Sequence, residues 1–171
     1  HVRSRRQRQM CIRDRITEFA LEQAMKQIVS WRQQGIHLPI AVNISPRNLL
    51  QPGFSDLVLS LLQRYEVSGQ SLELEVTEGA LMTDIARTIV ELSRLADAKI
   101  TISIDDFGTG YSSLQYLHQL PISLIKIDQS FVRRLPDDKG AVHIVEAAVT
   151  LAHKMGCLLY TSPSPRDQRG S

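Results

Sequence analysis

Apolar residues recur at three- and four-residue intervals between Ile16 and Gln34, at Ile16, Phe19, Ala20, Ala24, Ile28 and Trp31, and Gly35 follows as a stop. This spacing predicts a helix that lays one face on a core. The period then changes. Leu38 to Ile44 is a short apolar run suited to a strand, and Phe54 to Tyr65 returns to helical spacing through Leu57, Val58, Leu61 and Leu62. Leu72 to Val76 predicts a strand, Thr83 to Leu95 a helix and Lys99 to Asp105 another strand. After the loop DFGTGYSS come a short helical stretch near Leu114 to Leu117, a strand from Leu124 to Asp128 and a helix from Gly140 to Met155. Strands alternating with helices predict parallel βαβ units, in either an open doubly wound sheet or a (β/α) barrel.

Side chains alternate across a strand. Leu72, Leu74 and Val76 therefore share one face and Glu73 and Glu75 the other, just as Ile100, Ile102 and Ile104 oppose Thr101, Ser103 and Asp105. A sheet covered by helices on both sides needs two apolar faces. A barrel carries its helices outside and can hold polar groups within, near its mouth. One aliphatic and one polar face favour the barrel, so the expected fold class is α/β, a partial TIM-like (β/α) barrel.

Composition adds limits. With 171 residues, 43% hydrophobic and 22% charged, the chain fits one globular domain. No apolar run reaches the roughly 18 residues that cross a bilayer and no signal peptide is evident, so no membrane segment and a cytoplasmic location are expected. Cys11 and Cys157 lie far apart without metal-ligand spacing, and give no hint of a disulfide framework or a zinc site. The net charge of +2 is uneven, because residues 1–15 hold six arginines against Asp14 and the rest of the chain sums to −3. The basic character thus belongs to the leading peptide, and the acidic body speaks against a nucleic-acid partner. Residues 1–15 show no apolar periodicity, and residues 157–171 run into a Ser/Pro/Arg stretch. Both ends are expected to be disordered, and both resemble non-native peptides appended to a gene fragment.

Four predicted strands end in a polar or charged residue on the inner parity or beside it: Asn43, Glu75, the pair Asp105 and Asp106, and Lys126, with Asp128 close behind. Barrel enzymes place their catalytic groups at these C-terminal strand ends. Clustered carboxylates repel one another unless positive charge sits among them, and Mg²⁺ or Mn²⁺ takes oxygen ligands from carboxylates, amides, water and phosphate. Two such ions roughly 3.5–4 Å apart can clamp the attacking and leaving oxygens of a phosphodiester. Asp105 beside Asp106 suits bridging them. Taken singly, each residue has an ordinary reading: Glu75 or Asp128 as a salt-bridge partner, Asn43 as a turn residue, the Asp pair as a loop cap, Lys126 as an exposed lysine. Their occurrence at four successive strand ends favours the metal site. Glu78 reads either as an acid at a helix N-terminus or as a tether for the glycine-rich loop. His143, His153, Trp31 and the methionines read as packing or surface positions.

The segments VNISPRNLL, LELEVTEGALM, IDDFGTGYSSLQYLHQLPISLIKIDQSFV and IVEAAVTLAHKMG resemble the EAL domain, the bacterial class of cyclic di-GMP phosphodiesterases, from about Ile16 to Gly156. The resemblance implies a TIM-like barrel, dependence on Mg²⁺ or Mn²⁺, and hydrolysis of cyclic di-GMP to the linear dinucleotide. It implies Asn43, Glu75, Asp105 and Asp106 as metal ligands, Lys126 as the lysine that orients or activates the water, and Asp128 as a substrate-side or supporting acid. It also implies that the DFGTGYSS loop, anchored by Glu78, couples metal binding to homodimerisation. The family's Glu-Ala-Leu segment is absent before Ile16, and its Val-Ala-Glu-Gly-Val-Glu and Gln-Gly-Tyr segments are absent after Gly156. Two site glutamates go with them. Residues 16–156 are therefore expected to form part of an EAL domain, with about four of the eight strands of a barrel missing. The expected function is that of a piece of a phosphodiesterase, inactive by itself. The alternative is a degenerate domain that binds cyclic di-GMP as a receptor without catalysis.

Overall fold

A computed structural model of the protein describes residues 5–81, 83–108 and 117–161. Its elements run α1 (Arg5–Gln33), β1 (Ile40–Ile44), α2 (Pro46–Leu49), α3 (Phe54–Arg64), a 3-10 turn (Gly69–Ser71), β2 (Leu72–Thr77), α4 (Glu78–Leu81), α5 (Ile85–Asp97), β3 (Thr101–Phe107), β4 (Leu124–Ile127), α6 (Gln129–Val132), α7 (Lys139–Met155) and β5 (Leu158–Thr161). All five strands are parallel and lie in the order β1-β2-β3-β4-β5. A doubly wound sheet must reverse its order at a switch point; this one never does. Right-handed crossovers that always step the same way leave the helices on one face, the winding of a barrel wall.

The packing follows. α1 lies on β1, α5 on β3, and α7 on β4 and β5, while α3 bridges α1 and α5. Toward these helices the sheet presents Val42, Ile44, Leu72, Leu74, Val76, Ile102, Ile104, Ile125 and Ile127, all buried. Each Leu or Ile buried there contributes about 1.5–3 kcal/mol relative to exposure. Leu21, Met25 and Ile28 of α1, Val58 and Leu61 of α3, and Leu92 and Leu95 of α5 complete the layer. On α7 the buried contacts are Ala141, Ala148 and Ala152, small enough to let that helix approach β4 closely.

Local chemistry sets the helix ends. Ser45 accepts the Asn48 N–H ahead of Pro46, Asp84 accepts the Arg87 N–H, and Asp138 accepts those of Gly140 and Ala141. Asn48, 4% exposed, also accepts the Thr17 hydroxyl at 3.0 Å, which ties α1 to the turn beyond β1.

Three expectations need correction. The leading peptide is expected to be disordered, yet α1 extends back to Arg5; Arg, Gln and Met are good helix formers and no Gly or Pro interrupts them. The tail is expected to be disordered from residue 157, yet residues 158–161 form β5, because β4 offers an unpaired parallel edge and the LLYT segment has strand propensity. Ile16 and Phe19 are expected to face the core, yet they are 58% and 62% exposed. Helical periodicity reports an apolar stripe but not how far along it a partner extends. Here the stripe runs past the packed turns and flanks an open groove of about 610 Å³ along the β1 edge, lined by Ile16, Phe19, Ile40, Ala41 and Asn43. The helix expected near Leu114 and the DFGTGYSS loop beyond Gly108 lie outside the described residues up to Leu117. No described helix is long and apolar enough to cross a membrane.

Gly69, in the turn before β2, sits against the backbone that leads into β3: a methyl group there would overlap the Ala98 carbonyl oxygen and press on the Ile100 nitrogen at 3.1 Å. Gly69→Ala is therefore expected to destabilise the protein by about 1–3 kcal/mol, read as a lower urea midpoint with an unchanged slope. An unchanged midpoint would mean that the β2 and β3 connections are free to separate.

Candidate functional site

Opposite the helix-covered face, the strands carry the polar parity that the sequence predicts. The register aligns Asn43 with Glu75, Glu75 with Ser103, and Ser103 with Leu124. Lys126 stands two residues beyond Leu124, on the same face. Its ammonium makes ion pairs with Glu73, at 2.7 Å, and with Glu75. These side chains are only 15%, 14% and 12% exposed, so the interaction is largely shielded from water, and removal of one partner would strand a charge in a poorly solvated place. Burial by itself would lower the Lys126 pKa, but the hydrogen bonds and charges of Glu73 and Glu75 outweigh it and raise it above its ordinary value. Lys126 is held as an ammonium.

At the end of β3 the ladder breaks its rhythm. Ile104 aligns with Ile125 but Phe107 with Ile127, so three steps along β3 match two along β4. This is a β-bulge, and it falls on Asp105 and Asp106. Asp106 adopts the left-handed conformation with φ 54°, which aspartate tolerates better than most side chains. Strict alternation would send two adjacent residues to opposite faces; the bulge lets both carboxylates contribute to the same rim. Asp106 registers the crowding. Its carboxyl is raised above the usual range first by burial, then by the neighbouring charges of Asp105, Asp128 and Glu75.

Asp128 follows β4 as the N-cap of α6, accepting the Ser130 N–H at 2.7 Å. Glu78 is 5% exposed, begins α4 and accepts the Gly108 N–H at 3.1 Å. Gly108 has φ 98°, and a Cβ there would come within 2.6 Å of Ile144 Cγ2 and 3.3 Å of the Phe131 ring. Only glycine fits this exit from β3. The rest of the loop, and with it the expected dimer contact, lies outside the described residues.

The family model described as the EAL domain matches residues 6–161. The chain belongs to the EAL domain family. Over 141 residues it is 36% identical to the cyclic di-GMP phosphodiesterase PA2567 of Pseudomonas aeruginosa, covering 82% of this chain and 24% of that protein. It is 40% identical over 141 residues to the bifunctional diguanylate cyclase/cyclic di-GMP phosphodiesterase MucR of the same organism, covering 82% and 21%. The solved structure of the PaMucR phosphodiesterase, c-di-GMP complex, matches with a TM-score of 0.83 at 35% identity, over 95% of this chain and 72% of that one. The chain thus spans about a quarter or less of the length of these curated relatives.

In this EAL domain the expected site residues are brought to one end of the sheet, but not into a closed coordination shell. Among the described residues, no group of three or more His, Cys, Asp or Glu side chains is arranged to hold a metal ion. Glu75, one of the expected ligands, has its carboxylate engaged by Lys126. Glu73 and Ser103 are the residues that sequence reasoning passes over. The Ser103 hydroxyl, fully buried, donates to Glu73 at 2.8 Å. Their signal is in the sequence, since Glu73 and Ser103 share the inner parity with Glu75 and Asp105, but parity alone does not say which inner carboxylate meets the lysine.

A hydrogen bond to a charged acceptor is worth about 1.5–3 kcal/mol. Glu78→Ala is therefore expected to speed hydrogen exchange of the Gly108 amide by about 10–100-fold while amides in the middle of β2 keep their protection. Unchanged exchange at Gly108 would exclude Glu78 as the tether.

Proposed function

We propose that this EAL domain is part of a metal-dependent phosphodiesterase that hydrolyses cyclic di-GMP to the linear dinucleotide. The observation that carries this reading is the crowding of carboxylates at the strand ends, where Asp105 and Asp106 share a bulge and the Asp106 carboxyl is raised first by burial and then by the charges of Asp105, Asp128 and Glu75. The donor chemistry fits a hard divalent cation, with Asn43 offering an amide oxygen and Glu75, Asp105 and Asp106 offering carboxylates. These four residues would hold Mg²⁺ or Mn²⁺. Such an ion supplies charge that polarises a phosphodiester and makes water more acidic.

The chain's own groups do the rest. Lys126, fixed as an ammonium on the inner face, presents positive charge where negative charge grows on a phosphoryl group, and orients the attacking water. Asp128, which caps a helix and whose charge acts on Asp106, serves as a substrate-side or supporting acid. Glu78 holds the start of the DFGTGYSS loop, through which a homodimer would form. The same reading places the domain in the cytoplasm. The open five-stranded sheet leaves the mouth without a wall on one side, so turnover is expected from a protein that closes the barrel and not from this chain alone.

One observation favours a second reading, binding of cyclic di-GMP without hydrolysis: the Lys126 ammonium is paired with Glu75, one of the carboxylates assigned to the ion. Chromatographic assay of cyclic di-GMP hydrolysis separates the two. In a longer protein whose flanking sequence closes the barrel, activity is expected with Mg²⁺ or Mn²⁺, to vanish with EDTA, and to fall at least about 100-fold in Asp105→Asn. Tight binding of cyclic di-GMP with no product would establish the receptor reading instead.

A further inference from the structure

Lys126 meets two carboxylates, and only one of them belongs to the ligand set assigned above. Glu75 stands at the strand end beside Asn43, whereas Glu73 lies one pleat repeat deeper, aligned with Thr101. Glu73 is 14% exposed and accepts a hydrogen bond from the Ser103 hydroxyl of the neighbouring strand, which is itself buried and also lies 3.5 Å from the Leu74 carbonyl. A divalent cation on Glu75 would stand close to the Lys126 ammonium, and the two positive charges repel. A cation that takes Glu75 therefore weakens the hold of Glu75 on Lys126. An ammonium that is 15% exposed cannot be left without a partner at small cost.

Resting on the metal reading of the proposed function, we infer that Glu73 is a positioning residue: it retains the Lys126 ammonium when a divalent cation takes Glu75. Ser103 holds Glu73 in place for that task. In this arrangement Glu73 never touches the cation. It acts on affinity through Lys126 alone, which separates it from a carboxylate that merely adds to the negative field of the mouth.

The two roles differ in a double-substitution cycle. Binding of Mn²⁺ to the 171-residue chain is measured by loss of the free-ion electron paramagnetic resonance signal at fixed ionic strength, with thermal unfolding recorded alongside. Glu73→Gln keeps an acceptor for the Ser103 hydroxyl and removes the charge, and is expected to raise the Mn²⁺ Kd about 10–100-fold, the usual scale for groups that orient a ligand. In a Lys126→Met background, where no ammonium needs a partner, the same substitution is expected to change Kd by less than about threefold. Ser103→Ala, which leaves the charge but loosens Glu73, is expected to weaken binding by a smaller factor in the Lys126 protein only, and serves if Glu73→Gln fails to fold. Equal weakening by Glu73→Gln in both backgrounds would overturn the inference in favour of a field effect. So would an unchanged Kd in the Lys126 protein. Absence of Mn²⁺ binding by the unsubstituted chain would overturn the metal reading, and this inference with it.

Discussion

Pleating sends every second side chain of a strand to the same face, and in a sheet wound always in one direction that constraint divides the molecule in two. One face must be covered by the helices that the crossovers lay down; the other must not. Val42, Leu74, Ile102 and Ile125 fill the covered side, and Asn43, Glu75, Ser103 and Lys126 are left on the other by the same geometry. A shift of one residue in β2 or β3 would put a carboxylate under a helix and a Leu or Ile at the mouth. Stability and chemistry therefore share a single register, and the glycine at position 69, which lets the β2 and β3 connections touch, helps to fix both.

On the polar face the balance of charge decides the arrangement. Lys126 is surrounded by more negative charge than it can satisfy: it settles between Glu73 and Glu75, while at the rim burial, and then the charges of Asp105, Asp128 and Glu75, raise the Asp106 carboxyl. Each of these groups is partly withdrawn from water, so their interactions are worth more than those of exposed pairs such as Arg94 with Asp56, and are screened less by salt. A site of this kind favours any ligand that brings positive charge to the rim and phosphate oxygens to the ammonium. The bulge in β3 serves the same end, since it keeps two adjacent aspartates from being divided between core and mouth.

Much of this was legible in the chain itself. Periodicity fixed most of the elements, with Gly35 as a stop, because such signals act on immediate neighbours and need no distant partner. Strand parity gave the aliphatic and polar faces of β2 and β3, and motif resemblance gave the family, which the match over residues 6–161 establishes. The failures share a cause. Ile16 and Phe19 carry the apolar spacing of a core face but are exposed, and LLYT carries no periodic signal but pairs with β4. In both cases the outcome depends on what lies alongside, which a local pattern does not encode.

The sequence by itself determined the alternation of strand and helix, the parity that separates core from mouth, and the identity of the acidic and amide groups at the strand ends. Tertiary structure decided which of those groups meet. The choice of barrel winding rests on strand order, the convergence of Asp105 and Asp106 on a bulge, and the pairing of Lys126 with Glu73 as well as Glu75 on the stagger between strands far apart in sequence. Periodicity is a property of neighbours along the chain, whereas a charge is satisfied only by neighbours in space, and for Lys126 those neighbours lie some fifty residues away, 51 in the case of Glu75.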